Sequence, residues 1–320
     1  MMNEKDILGL VFDIHRGTTH DGPGMRTSVF LKGCPLHCSW CHNPESISSL
    51  PEISWAQKKC IGCNTCLDAC SQKALAFTSK GLLIDYARCN ECHDCCTNCP
   101  AHALELTGTY WNVDDLVVEA CKDDMFFEDF EGGITISGGE PLSQSSFVKN
   151  FAKKLKAAGK HVALDTCGLA PLKAFEEAFP YIDVFLYDLK LWDNDLHKHY
   201  TGADNHLILQ NFLWLLKKVE ENPDKRIWVR TPLIPDITAT KANIKALGSF
   251  LAENTSPAIE RWELCSFNNA CRDKYQKLRL DWDFQDEPLM NEFDVNICYE
   301  LAKDHLPGKV VQSGLVAKND

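Results

Sequence analysis

Cys34, Cys38 and Cys41 are spaced so that three thiolates can face one soft metal centre. A [4Fe–4S] cluster offers four ligand positions, so three cysteines leave one iron open unless a distant cysteine closes it. An open iron can chelate a substrate, as a catalytic zinc does at its free position. A structural zinc with a remote fourth ligand is the alternative reading. Trp40, just before the third cysteine, and Asn43, just after it, stand where side chains would cover a cluster and its ligand.

Two further runs follow: Cys60, Cys63, Cys66 and Cys70, then Cys89, Cys92, Cys95 and Cys99 with Pro100 behind it. This is the pattern of a bacterial two-cluster ferredoxin, in which the fourth cysteine of each run ligates the other cluster. One auxiliary cluster is therefore expected on Cys60, Cys63, Cys66 and Cys99, and the other on Cys89, Cys92, Cys95 and Cys70. The first run has Ser71 where the usual proline would stand. Cys96 fits this spacing less well. Cys121, Cys167, Cys265, Cys271 and Cys298 read as buried thiols. Of seventeen cysteines, twelve lie between Cys34 and Cys99, too close together to cross-link a core and well placed to hold metal.

The segments KKCIGCNTCLDACSQKALAF and ARCNECHDCCTNCPAHALEL form an internal repeat, so residues 50–107 read as a ferredoxin-like insert. Around it, strand and helix patterns alternate. Strands are expected at Thr27–Lys32, 133–137, 161–165, 183–189, 226–234 and 261–267, with helical faces at Phe147, Phe151 and Leu155 and from Leu207 to Val219. About six β/α units imply an α/β fold, a partial (β/α)6 TIM-like barrel over residues 1–49 and 108–320, with the insert after the first strand. The cysteine triplet, Gly138–Pro141, Asp165–Gly168, Asp188–Lys190, Arg230–Pro232 and Phe267–Asn269 then all fall at strand C-termini, the functional rim of such a fold.

A net charge of −12 argues against a nucleic-acid surface. No apolar run reaches membrane-spanning length and no signal-peptide pattern opens the chain, so a cytoplasmic protein is expected. A monomer is expected as well.

The loop CPLHCSWCHNPE matches the CxxxCxxC loop of the radical S-adenosylmethionine (SAM) superfamily. DGPGMRTSVFLKGC before it resembles the signature of the glycyl radical enzyme activating enzymes, the group of pyruvate formate-lyase activase. The resemblance implies three [4Fe–4S] clusters and reductive cleavage of SAM to a 5′-deoxyadenosyl radical, which takes hydrogen from a glycine of a partner glycyl radical enzyme. It implies an external ferredoxin or flavodoxin as reductant. The segment Gly138, Gly139, Glu140 is expected at the SAM amino group, and Asp21 where the partner's glycyl loop enters. By the same resemblance, Asp165, Thr166 and Asp188 would hold a monovalent cation and Lys190 the methionine carboxylate. Arg230 is placed for a SAM carboxylate or ribose contact. Activases commonly carry a histidine after the sixth strand; this chain has Asn268 there. The remaining histidines, His197 and His199 among them, read as core or surface residues.

Two other functions compete. A radical SAM enzyme acting on a small molecule would use the insert for auxiliary clusters. A plain electron-transfer protein would explain neither the three-cysteine site nor the glycine-rich rim.

Overall fold

A computed structural model describes residues 7–79 and 81–317. Its thirteen strands are β1 (Leu8–Thr18), β2 (Arg26–Leu31), β3 (Glu52–Trp55), β4 (Leu75–Thr78), β5 (Gly81–Ile84), β6 (Leu104–Thr107), β7 (Thr109–Asn112), β8 (Gly133–Gly138), β9 (Val162–Thr166), β10 (Val184–Asp188), β11 (Arg226–Leu233), β12 (Ile259–Ser266) and β13 (Val310–Ser313). Nine of them form one sheet in the order β13-β12-β11-β10-β9-β8-β2-β1-β7. From β2 through β13 every pairing is parallel, as helical crossovers require.

The six expected strands are all present, and three more extend them. β1 pairs antiparallel with β2, β7 pairs antiparallel with β1, and β13 adds a parallel strand beyond β12. The central strands are buried on both faces; β10 reads as a near-continuous apolar run for that reason, while β2 and β8 also bury the polar residues Arg26, Thr27, Ser28, Thr135 and Ser137. Helix Ser145–Ala157 buries Phe147, Phe151 and Leu155 against the sheet. In helix His206–Glu220 the buried stripe begins at Ile208, while Leu207 and Leu213 stay exposed.

The cysteine-rich insert leaves the barrel after the Cys34–Cys41 loop. Its base is the antiparallel pair β3–β6, from Glu52 opposite Thr107 to Trp55 opposite Leu104. The repeat is visible in three dimensions. Each half places its third cysteine, Cys66 or Cys95, on a short helix entered through a left-handed residue, Asn64 or His93. Each half also aims a backbone N–H at its fourth thiol, Ala74 at Cys70 and Ala103 at Cys99, both at 3.3 Å.

Lys32 joins the two parts. Its side chain is 0% exposed, and its ammonium donates to the Glu45 carbonyl at 2.6 Å and to Glu52 Oε2 at 2.8 Å. One cation thereby ties the strand that feeds the cysteine loop, the turn behind that loop and the first strand of the insert. Glu52→Leu leaves this ammonium buried without its carboxylate. It should destabilise the folded protein by about 3 kcal/mol, read as a fall in the unfolding midpoint. An unchanged midpoint would refute the assigned role.

Candidate active site

The strand C-termini open into a cavity of about 790 Å³. Cys34, Cys38 and Cys41 line it on a loop without regular structure, so the loop's backbone groups need partners elsewhere. His37 N–H bonds to Thr201 O at 2.7 Å, and Ser39 N–H to Tyr200 O at 2.9 Å. From the other side, Tyr275 Oη donates to Cys41 O at 2.9 Å and Trp282 Nε1 to Ser39 O at 3.0 Å. The two rings stack at 4.7 Å, 9° from parallel. Lys274 completes this clamp, reaching Asn43 Oδ1 and Glu45 Oε1, each at 2.7 Å. Trp40 is buried and packs near Tyr200.

Burial pushes the Cys38 thiol up to about 11 and Cys41 up to about 12. Cys34 is pulled down, chiefly by a hydrogen bond with Cys167, which stays protonated. Thiols this deep ionise when a metal cation replaces the proton, and the donor set is the soft one that iron–sulfur chemistry uses. Among the described residues, no three His, Cys, Asp or Glu side chains converge closely enough for a single ion.

Gly138 and Gly139 also line the cavity. A Cβ on Gly138 (φ +124°) would lie 2.2 Å from Leu31 O, and one on Gly139 2.6 Å from Gly33 O. The glycines therefore first serve the close approach of β8 to β2. Glu140 departs from expectation. It is 0% exposed and absent from the cavity wall. One of its carboxylate oxygens accepts from Leu142 N–H at 2.9 Å. The other accepts from Thr166 Oγ1 at 2.7 Å and Cys167 N–H at 2.8 Å. Its oxygens are occupied by neighbours, so it braces the ends of β8 and β9 from behind the cavity. Burial raises its pKa, against these hydrogen bonds.

Across the rim, Arg230 pairs with Asp165 at 3.2 Å and Lys190 with Asp188 at 2.5 Å. Burial opposes both cations, but Asp165 and Asp188 outweigh it and their pKa values are raised. Burial pushes Asp165 up to about 6, with Arg230 pulling the other way. Thr166 lines the cavity, although its hydroxyl proton goes to Glu140. Arg230 Nε is buried and faces the Glu263 carboxylate at 3.8 Å, beyond hydrogen-bond distance, on the side away from Asp165.

Asn268 lines the cavity, with its side-chain oxygen accepting from Ala270 N–H at 3.1 Å. The imidazole beside it is His42, from the cysteine loop, held by the Asn268 backbone and lowered in pKa by burial. Sequence reasoning missed His42, Lys274, Tyr275 and Trp282. The aromatic and cationic cluster after the sixth strand was the available signal.

Asp21 lines the opposite side. Ser28 Oγ donates to its carboxylate at 2.6 Å, and Thr135 Oγ1 donates to its carbonyl at 2.6 Å. Thr135 in turn accepts from Arg26 Nε, and Arg26 also donates to Pro23 O at 2.9 Å. Arg26 is fully buried, which lowers its pKa to about 10. This arginine fixes the turn that presents Asp21. His197 is buried and bonded to Ala203 O, as a core histidine.

In the insert, one cavity is lined by Cys60, Cys63, Cys66 and Cys99, and a second by Cys70, Cys89, Cys92 and Cys95. Cys96 lines neither.

Comparison with known proteins places this architecture. Residues 86–243 match the radical SAM superfamily, 59–108 a 4Fe-4S dicluster domain and 20–81 a 4Fe-4S single cluster domain. The fold and site are those of a radical SAM enzyme. The (2S)-3-sulfopropanediol dehydratase activating enzyme of Klebsiella oxytoca is 36% identical over 86% of this chain and 86% of its own. The trans-4-hydroxy-L-proline dehydratase activating enzyme of Clostridioides difficile is 36% identical over 84% and 87%. A solved domain of a pyruvate-formate lyase-activating enzyme from Bacteroides vulgatus covers 57% of this chain and 99% of its own, with 28% identity and a TM-score of 0.46. The chain belongs to the glycyl radical enzyme activating enzymes. As a member it is an oxidoreductase that uses SAM and [4Fe–4S] clusters to activate a partner glycyl radical enzyme. Among the described residues, no helix is long and apolar enough to cross a membrane.

Glu140→Gln should turn an amide NH2 toward N–H or O–H donors. A cost of about 1–3 kcal/mol is expected, with SAM binding weakened about tenfold by calorimetry and cluster absorbance retained. Full SAM affinity would show that Glu140 braces nothing the cofactor needs. His161, beside Arg26, is lowered from 6.5 to about 4, first by burial and then by that arginine. Its contribution to stability is present above pH 6.5 and lost as pH falls from there toward 4. His161→Gln should flatten the stability profile in that window, and an equally steep profile in the variant would count against this assignment.

Proposed function

We propose that Cys34, Cys38 and Cys41 hold the cluster whose open iron binds SAM. Two more clusters sit in the insert, on Cys60, Cys63, Cys66 and Cys99 and on Cys70, Cys89, Cys92 and Cys95, three in all. When bound, the first cluster and SAM supply one-electron cleavage of the sulfonium carbon–sulfur bond, yielding the hydrogen-abstracting deoxyadenosyl group. The protein's own residues do the remaining work. Lys190 and Arg230 offer positive charge for the methionine carboxylate, Gly138 and Gly139 present backbone groups, and His42 and Asn268 border the cavity on the side of the cysteine loop. Trp40 and Asn43 pack and anchor that loop, and the Tyr275–Trp282 clamp screens it from water. Asp21, pinned by Ser28 and Thr135, faces the incoming glycyl loop of the partner.

The observation that carries this reading is the convergence of three half-buried thiols and the Lys190–Asp188 and Arg230–Asp165 pairs on one cavity. Asp165, Thr166 and Asp188 stand together on that rim as the residues that would hold a monovalent cation, beside the Arg230 and Lys190 pairings. The insert serves as a relay from an external ferredoxin or flavodoxin, in the cytoplasm, with the activase working as a monomer. Anaerobic reconstitution should give about twelve irons per chain, from three four-iron clusters. Reduced protein with SAM and its partner should give a glycyl radical by electron paramagnetic resonance, and Cys38→Ala should abolish both that signal and SAM cleavage. SAM cleavage surviving in Cys38→Ala would sink the assignment.

A further inference from the structure

The two cysteine cavities of the insert differ in their distance from the barrel and in their surroundings. Glu52, at the start of β3, is ion-paired to Lys32, two residues before Cys34. One residue further, Ile53 lines the cavity of Cys70, Cys89, Cys92 and Cys95; Trp55 lines the other. At about 3.3 Å per residue, the second cavity is displaced roughly 7 Å outward along the strand. Tyr86 supports this order. Its hydroxyl donates to Ile53 O at 3.2 Å, and it lies within electrostatic reach of Glu52, Cys89 and Cys95 together. The Cys89 set is thus the inner one and the Cys60 set the outer one.

The outer set also has the surface that an electron carrier needs. Ile61, between two of its cysteines, is 70% exposed. Phe77 and Pro100, both exposed, line the same cavity, and Cys63 is exposed within it. Lys58, two residues before Cys60, is exposed as well. At the inner set Cys92 is exposed too, but its neighbours are Asn90, Glu91 and Asp94, and the exposed cation beside Cys89, Arg88, is already paired with Asp85 at 3.3 Å. Lone exposed apolar residues are common, but this one lies directly over a ligand loop. On a chain of net charge −12, an acidic partner is repelled except where local charge is positive. An apolar contact beside a cation is the combination that desolvates and steers such a partner.

We propose that the corner formed by Ile61 and Lys58 docks a small acidic electron-carrier protein, so that electrons enter through the outer cysteine set and leave through the inner one. This rests on the relay reading above. Each encounter oxidises the carrier by one electron and reduces the outer set by one, with no proton or group transferred. The inner set then passes the same electron toward the Cys34–Cys41 loop.

Flavodoxin hydroquinone is a suitable probe, its oxidation by the reconstituted holoprotein followed by stopped flow. Lys58→Glu with Ile61→Asp should slow the second-order rate about tenfold and flatten its dependence on salt. Glu91→Lys with Asp94→Lys, at the inner end, should not slow it. Dithionite should reduce both variants as it does the parent, showing that the clusters are intact. Slowing by the inner pair alone, or by neither pair, would overturn the docking face. If Cys63→Ala with Cys92→Ala still takes electrons from flavodoxin into the SAM-binding cluster at the parent's rate, the relay reading falls, and this inference with it.

Discussion

Compensation of buried charge is the constraint on which the site depends. Cys38, Cys41, Lys190, Arg230, Asp165 and Asp188 are half-buried within one region, and Glu140 behind them is wholly buried. An isolated charge at such depth costs several kcal/mol, so each must face an opposite charge or a full set of hydrogen bonds. The rim meets that demand through alternation. Asp165 and Asp188 stand at or next to the last residues of β9 and β10, while Arg230 of β11 lies in register with Asp188 and Lys190 follows β10 with its ammonium. A SAM molecule, carrying a sulfonium, an ammonium and a carboxylate, can enter such a rim by exchanging partners without leaving a charge bare.

The loop that carries the three cysteines has a related difficulty. It cannot satisfy its own backbone, because its course is set by where the thiols must point. The rest of the protein supplies the partners: the Tyr200–Thr201 carbonyls on one side, and Tyr275 and Trp282 on the other. Lys274 and Lys32 both terminate on Glu45, one at its carboxylate and one at its carbonyl. The loop is therefore held by elements far from it in sequence.

This arrangement explains what was legible in the sequence and what was not. The central strands could be read because short segments rich in Val, Ile, Leu and Phe recur between helical patterns, and the cysteine sets because their ligand spacing is local. β7 and β13 have four residues each, too few for a pattern. Much of β1 is solvated and polar, with only Leu10 and Val11 among its apolar residues fully buried in the core. Glu140 was assigned to the cofactor because a residue type does not reveal which way its carboxylate faces. The clamp was invisible for another reason: Tyr275 and Trp282 meet their carbonyl partners across 234 and 243 residues. No local spacing encodes such a contact. The histidine expected near Asn268 was sought on the strand, whereas the imidazole at that corner, His42, comes from the loop.

The attachment of the insert follows from the same economy. The relay proposed above would need its clusters at a fixed distance from the one it feeds, and a flexible linker would let that distance vary. Here the inserted chain leaves immediately behind the cysteine loop and returns through β6 into β7 at the sheet edge, so both its ends are strands. The Lys32–Glu52 pair then crosses the junction at the point nearest Cys34. Because Lys32 is wholly buried, its ammonium is stable only while Glu52 and the Glu45 carbonyl remain in place. Displacing the insert would strand that charge. The energy that keeps the lysine buried is therefore also the energy that keeps the insert in register with the barrel.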